Sequence, residues 1–148
     1  MKPRQFKQLV SGPRDQRRRL LLEGLNKIAE HVHNLAEEAT AANKAKAFHA
    51  ARLTVNLASE EAGKFLILLD GERGSLDQGE LSKQYARASN HLAKLLYAEI
   101  ADYRIATYGE LVEAVNRDRQ AFYLDGPNDI DWIFRNDLVS RRENPMYV

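Results

Sequence analysis

The feature that most constrains this chain is a recurrent spacing of apolar residues, four then three apart. Leu21, Leu25, Ile28, Val32 and Leu35 follow it, which places all five on one face of a helix. Ala51, Val55, Ala58, Ala62, Phe65 and Leu69 repeat the pattern, and Leu81, Tyr85, Ala88, Leu92 and Leu95 repeat it again. No convincing run of alternating apolar and polar residues is bounded by turn residues, so no strand is predicted. The chain reads as all-α, an antiparallel bundle of four to five helices with an irregular C-terminal tail.

The pattern predicts a first helix from about Asp15, its N-cap, to Glu37, and a second from about Thr40 to Asp70. Phe48, Leu53, Leu57, Leu66 and Leu68 widen the second stripe, so this helix is expected to lie centrally. Gly63 falls inside it. A glycine in a helix interior costs on the order of 1 kcal/mol relative to alanine, and it points to close approach of a neighbouring helix or a ligand. Residues 71–79, with three glycines, read as a connecting loop, followed by a third helix from Gly79 to Ala106 and a fourth from Gly109 to Tyr123. Residues 125–148 read as a loop and packed tail around Ile130, Trp132, Ile133 and Phe134.

With 148 residues, 44% of them hydrophobic, the sequence fits a single helical domain over 1–148 that needs no covalent staples. There is no cysteine, which excludes disulfides, thiolate metal sites and thiol nucleophiles and agrees with a cytoplasmic protein. No secretory leader is recognisable, and the longest apolar stretch, Phe65 to Leu69, is far too short for a bilayer span, so no membrane association is expected. The formal net charge is +1, yet residues 1–19 hold seven basic side chains against Asp15 alone. Residues 1–14 therefore read as a flexible basic arm.

Two constellations carry potential chemistry. In Ser59-Glu60-Glu61-Ala62-Gly63-Lys64, two adjacent carboxylates and a lysine sit mid-helix; Glu60 is placed to pair with Lys64 one turn on, with Glu61 facing water or a partner helix. On the third helix Arg87, His91 and Lys94 recur at i, i+4 and i+7 and are expected to form one cationic stripe. Arginine and lysine hold phosphate, and histidine moves protons near neutral pH, the combination that metal-independent RNA cleavage needs. The alternative is a solvated flank with His91 satisfied by a nearby carboxylate. Glu30 and His33 form one Glu-x-x-His motif, but a di-metal bundle needs a second copy and the sequence has none, so neither metal nor other cofactor is expected. Phosphate-binding glycine loops and the nucleophile elbow of α/β-hydrolases are missing as well.

The Glu60-Glu61-Ala62-Gly63-Lys64 string, then His91-Leu92-Ala93-Lys94, then Arg119-Gln120-Ala121-Phe122-Tyr123-Leu124-Asp125, resembles in order and spacing the pattern of the AbiV abortive-infection family over residues 17 to about 125. That family is grouped with HEPN domains, helical bundles that often dimerise and include many ribonuclease toxins. The resemblance implies a HEPN-like bundle in a bacterial phage-defence protein that arrests growth or translation on infection. Expected partners are a second copy of the chain, RNA or the translation machinery, and a phage-encoded activator protein. It also frames the roles of the polar residues: His91 as general acid or base, Arg87 and Lys94 as phosphate clamps, Glu60 and Glu61 as orienting groups. The HEPN ribonuclease signature, an arginine and a downstream histidine with four to six residues between them, is absent; Arg87 and His91 have only three residues between them. The competing expectation is a non-catalytic helical module that binds a phage or host protein.

Overall fold

The computed structural model describes residues 9–74 and 76–102, together with the single positions 110, 113 and 139. The expected fourth helix from Gly109 to Tyr123, the Arg119 to Asp125 motif and the tail at 125–148 lie outside the described residues, apart from those single positions. Helix α1 spans Arg14–Lys44, α2 Phe48–Arg73, α3 Gln78–Ala86 and α4 His91–Asp102, with a 3-10 turn at Arg87–Ser89. The protein is an all-α bundle, and no strand occurs among the described residues. None of the described helices is long and apolar enough to cross a membrane.

Helix α1 runs seven residues beyond its expected end at Glu37 and stops in a Schellman motif, in which the Ala47 N–H donates to Ala42 O at 2.9 Å and the Lys46 N–H to Asn43 O at 3.0 Å. The left-handed position is filled by Lys46, with φ of 60°. Glycine or asparagine normally marks that position, so the sequence carries no stop signal and the expected joint falls too early. At the other end Asp15 is not the N-cap; Pro13 holds that place, and Asp15 lies in the first turn, where its charge suits the helix dipole. The three-residue joint turns α2 back along α1 as an antiparallel neighbour, the packing expected of short connections.

Helix α2 is central, as its wide stripe predicts, and packs against α1, α3, the 3-10 turn and α4. Its buried face, however, is not the expected alanine-rich stripe. It runs through Ala51, Glu60, Gly63, Ile67, Leu68 and Gly71, and Ile67 and Leu68 are wholly enclosed. Phe48, Val55 and Leu57, all counted as apolar cover from the sequence, are instead exposed. The core joins Ile67 and Leu68 to Leu21, Leu25 and Ile28 of α1 and to Leu81, Tyr85 and Ala88. Leu9 belongs to it too, only 4% exposed, so the basic arm expected over 1–14 is packed against the bundle from at least residue 9.

Helix α3 begins in a capping box: the Glu80 N–H donates to Asp77 Oδ1 at 2.8 Å, and the Asp77 N–H donates to Glu80 Oε2 at 3.1 Å. Asp77→Ala is expected to lower stability by about 1 kcal/mol, with Asp77→Asn retaining most of it. Denaturant titration of the three proteins checks this.

The third helix expected from Gly79 to Ala106 is not continuous. It breaks at Asn90, whose backbone is extended at φ −95° and ψ 119°. The cause is local: Ser89 Oγ donates back to Ala86 O at 2.9 Å, and Asn90 Oδ1 accepts from the Ala93 N–H at 3.1 Å, capping a new helix.

Candidate functional site

The break decides where the expected cationic stripe goes. Arg87, His91 and Lys94 no longer share one helical face, because Arg87 lies in the 3-10 turn while His91 opens α4. The Arg87 guanidinium donates to Gln84 Oε1, and Gln84 in turn donates from Nε2 to Ile67 O at 3.2 Å and to Tyr97 Oη at 2.9 Å. Arg87 is thus the outer end of a polar network tying α3 to α2 and α4.

His91 and Lys94 converge instead on Glu60 of α2. His91 Nδ1 lies 2.6 Å from Glu60 Oε2, and Lys94 Nζ donates to the same oxygen at 2.7 Å. Only 9% of either the Glu60 or the Lys94 side chain is exposed, against 56% for His91. Burial alone would raise the Glu60 carboxyl, but the hydrogen bonds from Lys94 and His91, reinforced by their charges, outweigh it and hold the group below its ordinary value of 4.5. An ionised carboxylate only accepts, so His91 Nδ1 carries a proton and donates it, which leaves Nε2 as the acceptor of the neutral ring. Glu60 therefore fixes both the tautomer and the orientation of a half-exposed imidazole.

Glu61 stands apart from this group. Its Oε2 accepts from Lys64 Nζ at 2.7 Å, so the helix-surface pair is Glu61 with Lys64 three residues on, not the expected Glu60 with Lys64. Of the five expected site residues, the structure brings together Glu60, His91 and Lys94 and leaves Arg87 and Glu61 with other partners. Lys94, buried against Glu60, is not placed as an exposed phosphate clamp. His33 pairs with Glu37 at 3.4 Å on the exposed face of α1, and no group of three metal-ligating side chains occurs among the described residues.

Gly63 lets this cluster form. A Cβ at that position would stand 1.8 Å from the Lys94 carbonyl oxygen, so only glycine admits the α4 backbone this close to α2. The close approach expected from sequence is therefore real, and the neighbour is a helix. The residue whose carbonyl rests on Gly63 is the one whose ammonium reaches Glu60, one turn earlier on α2.

Gln84 and Tyr97 were not singled out from sequence. Gln84 is 6% exposed, and a lone amide among apolar neighbours carries little pattern by itself. One signal was present: Ser89-Asn90 ahead of a renewed apolar run marks a helix restart. Reading it would have separated Arg87 from His91. Compared with models of known protein families, with curated proteins and with solved structures, the chain matches none.

Proposed function

We propose that this chain is an abortive-infection effector of the AbiV type with a HEPN-like bundle, and that it arrests growth or translation by metal-independent RNA cleavage centred on His91. The observation that carries the reading is the half-exposed His91 ring held through Nδ1 on the buried Glu60 carboxylate. In this arrangement Nε2 takes the proton from a ribose 2′-hydroxyl as that oxygen attacks the adjacent phosphorus; the P–O5′ bond breaks and the 5′-oxygen takes a proton from water, giving a 2′,3′-cyclic phosphate and a 5′-hydroxyl. Glu60 is a positioning residue that orients the imidazole and stabilises it once protonated. Lys94 acts one step further back, holding the Glu60 carboxylate in place.

The test is incubation of the purified protein with total bacterial RNA in EDTA. Wild type should release cyclic-phosphate fragments, and His91→Ala should lower the rate by about 100-fold or more. Equal cleavage by both proteins, or none by either, would overturn the reading. The second reading, a non-catalytic module that binds another protein, is favoured by one feature: Phe48 and Val55, seven residues apart on one face of α2, are 63% and 51% exposed. Large apolar side chains left in water on a regular helix face suit a partner surface.

A further inference from the structure

A second site lies at the C-terminal end of α2, where an open cleft of about 490 Å³ is lined by Arg14, Arg17 and Arg18 of α1 and by Arg73, with Glu72 the one acid among its lining residues. Arg18 Nε lies 2.9 Å from Glu72 Oε1, which neutralises that acid. Arg14 and Arg73 make no ion pair among the described residues, so the cleft carries an excess of positive charge. Arg17 is held from one side, its Nη1 donating to Val10 O at 3.2 Å, while its Nε is buried with no acceptor among the described residues. A buried donor left unmade costs on the order of 1–3 kcal/mol, and guanidinium groups gathered around one concavity repel one another. An anion within the cleft relieves the repulsion among these guanidinium groups.

We propose that this cleft binds a polyphosphate group, the di- or triphosphate of a nucleotide or of an RNA 5′ end. Planar guanidinium forks match phosphate oxygens two at a time, and several arginines converging from two helices fit a chain of phosphates better than a single one. The volume falls within the range of small-molecule sites. The walls are set by packed residues, since Leu9, Leu81, Gly71 and Tyr85 are all buried. The Tyr85 ring rests directly on Gly71, where a Cβ would come within 2.3 Å of it, so this part of the cleft does not collapse. From Glu60 to Glu72 the helix rises roughly 18 Å, so the cleft is separate from the His91 cluster and stands whether or not that cluster is catalytic.

Calorimetric titration of the full chain with tripolyphosphate tests the proposal. Wild type should bind saturably, with affinity falling steeply between about 50 and 200 mM salt. Arg14→Ala and Arg73→Ala, both at exposed positions and compatible with folding, should each weaken binding about tenfold or more. Lys27→Ala, an exposed α1 position outside the cleft, should leave it unchanged. Titration with GTP and with RNA bearing a 5′-triphosphate or a 5′-hydroxyl then separates the two sources: preference for triphosphate RNA over GTP assigns the RNA end, and equal affinity assigns the nucleotide. Failure of tripolyphosphate to bind wild type at low salt, or unchanged affinity in both arginine variants, would overturn the site.

Discussion

Gly63→Ala should be the most damaging single-methyl change in the described bundle. The added carbon would lie 1.8 Å from a backbone oxygen, less than any non-bonded contact allows, and a backbone carbonyl has no rotamer with which to move aside. Helix α4 must shift away from α2, drawing Lys94 Nζ off Glu60 and loosening the contact that the glycine permits. Overpacking of this kind costs about 3 kcal/mol or more, exceeding the gain of roughly 1 kcal/mol in helix propensity that alanine brings. Thermal unfolding followed by circular dichroism should show a midpoint lowered by about 10 °C. An unchanged or raised midpoint would mean that the two helices are not in contact at this point. Since the same shift displaces His91, the RNA cleavage proposed above should fall with stability in this variant.

Breaking the Glu60 ion pair should have an effect of similar size with a different signature. Glu60→Leu leaves the Lys94 ammonium buried without its carboxylate and should cost about 3–5 kcal/mol, whereas Lys94→Met leaves the carboxylate still bonded to His91 and should cost less. Replacing both together removes both buried charges, and the double variant should regain most of the loss. A double variant as unstable as the sum of the singles would show that the two side chains act independently.

The pH dependence follows from the same geometry. The folded carboxyl titrates below its ordinary value of 4.5, so its contribution to stability is complete above that value and is lost as pH falls through the lower folded value. Wild type should therefore lose stability more steeply than the double variant as the medium is acidified below about pH 4.5. Parallel denaturant curves from neutral to acid pH measure the difference. Tyr85 extends the argument to alkali: burial and the charge of Glu72 raise its hydroxyl above 10.0 despite an opposing effect of Arg17, so the stability it contributes declines once pH passes that value.

Fold and site were legible to different depths. The α1 stripe was read nearly residue by residue, because on a helix with one buried side hydrophobicity and burial coincide: Leu21, Leu25, Ile28 and Leu35 are all enclosed. The same reading failed on α2, which is packed by several neighbours. Its deepest face passes through a glutamate and two glycines, residues that a search for apolar spacing steps over. The Arg87 to Lys94 stripe failed for another reason. Helical periodicity assumes an unbroken helix, and two short side-chain hydrogen bonds at Ser89 and Asn90 were enough to end one helix and start the next.

The sequence by itself determined the helical class, the central place of α2, the close approach at Gly63 and the list of residues able to do chemistry, since all of these follow from local spacing and side-chain type. Only the tertiary structure decided which of those residues meet. Glu60 lies 31 positions from His91 and 34 from Lys94, and whether they form a cluster depends on how closely α4 settles against α2. That depth is set by a missing Cβ at one residue and a helix break at another. Pairing across such distances is a property of packing, in which one buried carboxylate is met by a lysine and a histidine from another helix.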